Sequence, residues 1–318
     1  MAADHFAAVT TAAAKSDSLH RALAESGDSR CWLVIDPTIR PLDANEPLAQ
    51  ALSEAGTEIV HACSPHPGVD ASVMPCLAHL DSERPAGSAA LRLSIEEALA
   101  ELEPAALTRG AARRIGGWLQ SSASGAVLAE HISRQMVQRR RDGRLTLLRW
   151  TDPAVLWAMW STTLLKQQQS VLLGPISAFY LLDPAGNQFT LGASSVTGIR
   201  EVAFTDEQWQ QLDAIGPLNQ ALLQFGAAGL GGAAMTSARD TGMAAVLRAR
   251  LLGFAEKGDL AAFAWRAMFV HPQFDDHPLV TEKMRERQPD DLFSGLVDCL
   301  DENQWALIAK GVREPEPR

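Results

Sequence analysis

The stretch Leu145-Thr-Leu-Leu-Arg-Trp-Thr-Asp-Pro-Ala-Val-Leu-Trp157 decides how the N-terminal half folds. A β-type run, Leu145 to Trp150, ends in an Asp-Pro step and reopens as an apolar helix. Asp152 is placed to cap the first helical amides, and Pro153 suits the first helical position because it has no amide hydrogen to lose. Arg149 and Asp152 therefore mark a strand-to-helix corner, a structural device with no catalytic chemistry in it. Upstream, Ala126 to Arg139 puts Leu128, Ile132, Met136 and Val137 on one helical face, and Asp142-Gly143 turns the chain into the corner's strand.

Further out the same alternation continues. Cys31 to Ile35 reads as a buried strand closed by Asp36-Pro37, Pro47 to Ala55 as a helix with Leu48, Ala51 and Leu52 inward, and Thr57 to Cys63 as a second strand. Val73 to Asp81 is extended, with Pro75 at its start or at a sheet edge. Ile95 to Leu102 is a short helix and Ile115 to Ser121 a strand. Ile176 to Leu182 and Gln188 to Leu191 form a hairpin across Asp183-Pro-Ala-Gly186. From Thr205, where Thr205 and Gln208 have capping-box spacing, strand signals stop. Helices are expected near 206–224, 238–256, 259–269, 277–287, 290–299 and 301–310, with Gly226 to Met235 as a small-residue linker. The fold class expected is α/β: an N-terminal α/β lobe with a mixed sheet, followed by a C-terminal all-α lobe. The expected limits are a flexible tail over 1–16, an α/β domain over 17–198, a helical lobe over 199–311 and a disordered tail over 312–318.

Composition narrows the class. The chain has 318 residues, an apolar fraction of 47% and a formal charge of -10. Residues 1–180 carry -3 and 181–318 carry -7. Nucleic acid is disfavoured as a partner, because that affinity depends on neutralising phosphates with Lys and Arg. Apolar runs such as Ala154 to Trp160 are interrupted too early to span a bilayer, and no basic-then-apolar leader opens the sequence, so a cytoplasmic protein without membrane contact is expected. The 4 cysteines, Cys31, Cys63, Cys76 and Cys299, are too scattered for a zinc site or a disulfide framework and are expected to be buried thiols.

Candidate chemistry is sparse. The glycines after Gly226 follow a helix rather than a strand and lack a Lys-Ser/Thr pair, which leaves a linker over a phosphate loop. Ser124 lies between a strand and a helix outside any Gly-x-Ser-x-Gly elbow, so its expected role is an N-cap. His271-Pro-Gln-Phe-Asp-Asp-His277 gathers two imidazoles and two carboxylates without diagnostic metal spacing. We expect no cofactor, no metal and no enzyme. A hydrolase using Ser124, or His271 with Asp275 or Asp276, is the alternative, and a structural component of a larger machine is a third. Arg134, Arg139, Arg140, Arg141, Arg144 and Arg149 share a segment with one acid, Asp142. The first five are candidates for a partner-binding patch, set against a solvated helix C-terminus that complements the macrodipole. Trp118, Trp150, Trp157 and Trp160 cluster in the first lobe and are expected mostly in the core.

Several segments, in order, resemble one family. They are Leu33-Val-Ile-Asp36, Pro75-Cys-Leu-Ala-His-Leu-Asp81, Trp118-Leu-Gln-Ser121, Leu148-Arg-Trp-Thr-Asp-Pro153, Gly174-Pro-Ile176 and Phe204-Thr-Asp-Glu-Gln-Trp209. Their order is similar to that of the effector chaperone/adaptor proteins of bacterial type VI secretion, a family of domains often encoded beside a VgrG spike gene. The likeness is closest from Cys31 to Leu182. It implies a non-catalytic protein that binds a cognate effector toxin and helps load it onto the VgrG spike. It also implies that Arg149, Asp152, Pro153 and Trp118 are structural motif residues.

Overall fold

Cys31-Trp-Leu-Val-Ile35 has no polar alternation, as expected of a strand covered on both faces. In the computed structural model it lies inside strand β1 (Arg30–Ile35), whose last five residues are all buried. The structure describes residues 13–15, 17–23, 30–64, 69–103, 106, 113–183, 186–192, 201–228, 233–288 and 290–311. Residues 1–12 and 16 of the expected N-terminal tail, the expected C-terminal tail, residues 65–68 of the loop after Ser64 and residues 229–232 of the expected linker lie outside these, whereas residues 13–15 of that N-terminal tail are helical. The chain divides into one unit ending at Asp206 and a second beginning at Glu207.

The first unit is built on a six-stranded sheet. After β1 come β2 (Ile59–His61), β3 (Cys76–Leu80), β4 (Ile115–Ser121), a separate hairpin of β5 (Val137–Arg139) and β6 (Leu145–Leu147), then β7 (Ala178–Leu182) and β8 (Gln188–Gly192). The spatial order is β2-β3-β1-β4-β7-β8. Every ladder in it is antiparallel, which corrects the expected mixed sheet. The strand-helix-strand rhythm is present, but the strands it joins are not neighbours. Helix α1 (Pro47–Glu54) links β1 to β2, and β3 lies between them; α2 (Pro85–Ala100) links β3 to β4, and β1 lies between those. Two interleaved split β-α-β units therefore give an antiparallel sheet. Periodicity within a segment carries no information about which strand is inserted between two others.

Side chains alternate across the sheet. Cys31, Leu33 and Ile35 share a core with Leu48 and Leu52 of α1, Leu91 and Ile95 of α2, and Trp118 and Tyr180. Trp118 is buried there, its indole N–H donating to Ser94 Oγ at 2.9 Å. Trp32, on the opposite face, packs against Gly125 at the start of α3 (Gly125–Met136). Trp150 meets Phe179 edge to face. Helices α4 (Pro153–Thr162) and α5 (Lys166–Leu173) follow the corner, and His131 Nε2 bonds Leu172 O at 2.8 Å, tying α3 to α5.

Three local expectations change. Helix α2 starts at Pro85, ten residues before the apolar spacing announces it, because proline at the first position opens it. The helix expected to reach Arg139 stops at Met136, and its last residues pair with β6 instead. The strand expected to reach Trp150 ends at Leu147. Of the four thiols, Cys31 and Cys76 are buried, while Cys63, just past edge strand β2, and Cys299, in a turn, are exposed.

The second unit is helical in its described residues. Its elements are α6 (Asp206–Ala227), whose first residue Asp206 closes the first unit, α7 (Ala233–Leu251), α8 (Lys257–Phe269), α9 (Pro278–Glu286), α10 (Phe293–Val297) and α11 (Glu302–Ala309). Phe263 is the hub of its core, with Phe254, Phe274 and Phe293 rings at centroid distances of 6.3, 4.7 and 5.0 Å. No described helix is long and apolar enough to cross a membrane.

One glycine makes the central pairing possible. Gly117 has φ +132° beside the register shift between Val34 and Ile35, and a Cβ there would lie 2.4 Å from Tyr180 O. Gly143, at φ +85° in the β5-β6 turn, has nothing within 4 Å of that position. Gly117→Ala is expected to lower unfolding stability by about 3 kcal/mol or more, and Gly143→Ala by about 1 kcal/mol, both read from urea unfolding.

Candidate functional site

The polar residues of the first unit gather where β1 ends and β4 begins. Asp36 follows β1, and its backbone N–H donates to Arg114 O at 2.8 Å. One carboxylate oxygen of Asp36 accepts from Thr38 N at 2.9 Å and from the Thr38 hydroxyl at 2.6 Å; the other takes the Arg149 guanidinium. Arg114 is the innermost charge, its side chain 1% exposed. Its Nε donates to Glu97 Oε1 at 2.7 Å, and its Nη1 to Pro41 O at 3.1 Å while lying 2.8 Å from Glu46 Oε2. Arg40 closes the cluster, reaching Glu97 at 2.9 Å and Glu46 at 3.5 Å. Opposite charges are thus matched inside the protein, and the matching joins α1, α2, β1, β4 and the corner at Arg149.

At that corner Asp152 is the N-cap of α4: its Oδ1 accepts from Ala154 N at 2.9 Å, with Pro153 in the first turn. Arg113 lies 3.7 Å from the same oxygen, in a left-handed backbone conformation with φ +64°. Nearby Glu101 is 4% exposed and accepts from Ile115 N at 3.1 Å; its other oxygen is buried with no partner among the described residues. Burial pushes its carboxyl up to about 7.

The arginine patch takes a different form from the one expected. Only Arg134 lies in the last turn of α3, where it pairs with Glu130. Arg139, Arg140, Arg141 and Arg144 belong to the β5-β6 hairpin, because Val137 leaves the helix for extended backbone. Arg139 bonds Gly143 O at 3.0 Å, Arg140 bonds Thr146 Oγ1 at 2.9 Å, Arg144 pairs with Asp142, and Arg141 reaches Asp206 at 3.2 Å. The reading as a solvated helix end is corrected to an arginine-bearing hairpin tip.

The residues considered for hydrolysis are not brought together by any described contact. Ser124 caps α3, accepting from Val127 N at 3.4 Å. His271 Nδ1 accepts from Gln273 N, and His277 Nδ1 from Leu279 N as the cap of α9. Asp275 is held by Arg248 through both oxygens, at 3.0 and 2.8 Å, and Asp276 sits in the adjoining helical turn. Among the described residues no group of three or more His, Cys, Asp or Glu is placed to hold a metal ion. Burial raises the Cys31 and Cys76 thiols to about 12 and about 11, away from thiolate chemistry.

Sequence reading missed Arg114, Glu97, Glu46 and Glu101. Their one local signal is an arginine directly before an apolar strand and two glutamates four residues apart on a helix, a pattern shared with many solvated surfaces.

Arg114→Met should cost about 3–5 kcal/mol in denaturant unfolding, because it leaves Glu97 and Glu46 facing each other with one cation fewer. Adding Glu97→Gln should recover part of that loss. Glu101 sets a pH dependence. Its folded value lies above the ordinary 4.5, so its contribution is full below that pH and is lost as pH rises through about 7. Glu101→Gln is expected to be more stable than the parent at about pH 8, by about 1–3 kcal/mol, with the gap closing as the pH falls toward about 4.5. Parallel stability curves for the two proteins would contradict this.

A family model described as Domain of unknown function (DUF4123) matches residues 31–170. No curated protein and no solved structure matches the chain. The matched segment runs from β1 into α5 and contains the whole charged network, the arginine hairpin and the Asp152 corner, so residues 31–170 are similar to this domain family over the core of the first unit.

Proposed function

We propose that this protein is a cytoplasmic, non-catalytic adaptor of type VI secretion, which binds a cognate effector toxin and helps place it on the VgrG spike. The observation that carries the reading is the match of residues 31–170 to the DUF4123 model, over the same segments whose order resembles the effector chaperone/adaptor family. The chemistry is compatible. Arg114 and Arg40 pair with Glu97 and Glu46, and Ser124, His271 and Asp275 cap or brace local structure. In such an adaptor the work falls to surfaces. The arginine hairpin is the docking candidate of the first unit: a short β-ladder holds it, and four guanidinium groups stand on it against the single carboxylate of Asp142.

The tagged chain, co-expressed with the products of its flanking genes, is expected to retain a toxin-like protein. Binding of neither toxin nor spike at low salt would overturn the proposal. Changing Arg139, Arg140 and Arg141 together to Glu should weaken toxin retention about tenfold or more, since charged rims set association and complementarity. The same change should alter unfolding stability by no more than about 1 kcal/mol, because exposed pairs contribute little. Retention unchanged by the triple reversal would remove the hairpin from the interface.

A further inference from the structure

The second unit, outside the matched segment, has a groove of about 790 Å³ between the end of α7 and the loop before α10. Phe254 and Arg287 contribute to its wall. The Arg287 guanidinium lies 3.9 Å from the Phe254 ring centre and donates to Leu252 O at 2.7 Å and Gly253 O at 3.1 Å. That cation is therefore engaged with carbonyl oxygens and an aromatic face. Four carboxylates line the same groove: Glu256, Asp259, Asp290 and Asp291. Among the described residues none of them forms an ion pair with a Lys, Arg or His, whereas Asp275 in the same unit is locked to Arg248.

Asp259 is the most telling of the four. It is 6% exposed, and its side chain has one hydrogen bond among the described residues, from Ser294 N to Oδ1 at 3.4 Å. Its second oxygen has no described donor, although Asp259 lines the groove. A carboxylate with one oxygen engaged and the other facing an acidic groove is complemented well by an incoming cation. The surroundings are apolar as well as acidic. Leu292 lines the groove and is 51% exposed, and Leu251 and Leu252, just before the groove-lining Gly253, are 88% and 45% exposed. A bare metal ion would leave those leucines in water, and no described cluster of acids is arranged to ligate one.

We propose that this groove binds a polypeptide segment of a partner protein that carries Lys or Arg flanked by apolar side chains. The cation enters among the carboxylates and meets Asp259, while the flanking side chains cover Leu292 and its neighbours. Charge complementarity fixes the orientation, and apolar burial supplies the contact area. The proposal rests on the second unit's own geometry and does not depend on effector loading.

The test is fluorescence anisotropy of the full-length protein with short labelled peptides of three compositions: Lys with Leu, Lys with Ser, and Glu with Leu. The Lys/Leu peptide is expected to bind saturably, and the other two at least about tenfold more weakly. Asp290→Asn with Asp291→Asn, and separately Leu292→Ser, should each weaken the Lys/Leu peptide about tenfold, whereas Glu282→Gln with Glu302→Gln, which removes the same charge elsewhere on this unit, should not. Equal losses in both charge variants, no saturable binding, or displacement of the peptide by free spermidine at matched concentration would overturn the proposal. Since the probe is a peptide, failure here is separable from failure to retain a toxin.

Discussion

One buried guanidinium organises the end of the first unit's sheet. Arg114 lies directly before β4, receives the Asp36 amide on its carbonyl, and spreads its side chain over Glu97, Glu46 and the carbonyl of Pro41. Taking such a charge out of water costs several kcal/mol, offset only when its donors meet acceptors of good geometry. Arginine suits this because its planar fork addresses several partners at once, which a lysine ammonium on a flexible stem does not. The β1-β4 ladder, the start of α1 and the last turn of α2 meet around it. The groups most conspicuous for chemistry in this unit are consumed in keeping its shape.

Much of this architecture was legible in the sequence. Ile115 to Ser121 appears as a strand at its expected limits, the two arms of the expected hairpin pair as Ala178–Leu182 with Gln188–Gly192, and Asp152-Pro153 opens its helix as the local chemistry requires. In each case the cause is local: an apolar run, a turn dipeptide, a cap. The misreadings share the opposite property. Val137 to Arg139 continues the helical spacing of α3, but a partner strand eight residues on captures it. The antiparallel sheet follows from β3 and β1 each slipping between strands that the sequence presents as consecutive.

Polar sites were harder to read than the fold. Arg114 and Glu97 are 17 residues apart, Asp36 and Arg149 113 apart, and only the closed sheet brings them together. The groove of the second unit was invisible for the same reason: Asp259 and Ser294 become neighbours only once α8 and α10 pack on the phenylalanine core. By contrast, the arginine run was evident from composition, although its setting on a hairpin was not.

The two units thus divide the surface chemistry of an acidic chain: a basic hairpin on the first and an acidic, leucine-flanked groove on the second. Both are outward features: the hairpin stands on a short β-ladder, and the groove opens beside the phenylalanine core. Hydrogen exchange, measured on the protein alone and with the effector proposed as its partner, tests docking on the hairpin most directly. Slowed exchange over the β5-β6 hairpin, with β1 and β4 unchanged, is the expected result. Identical exchange throughout the chain with and without the toxin would contradict it.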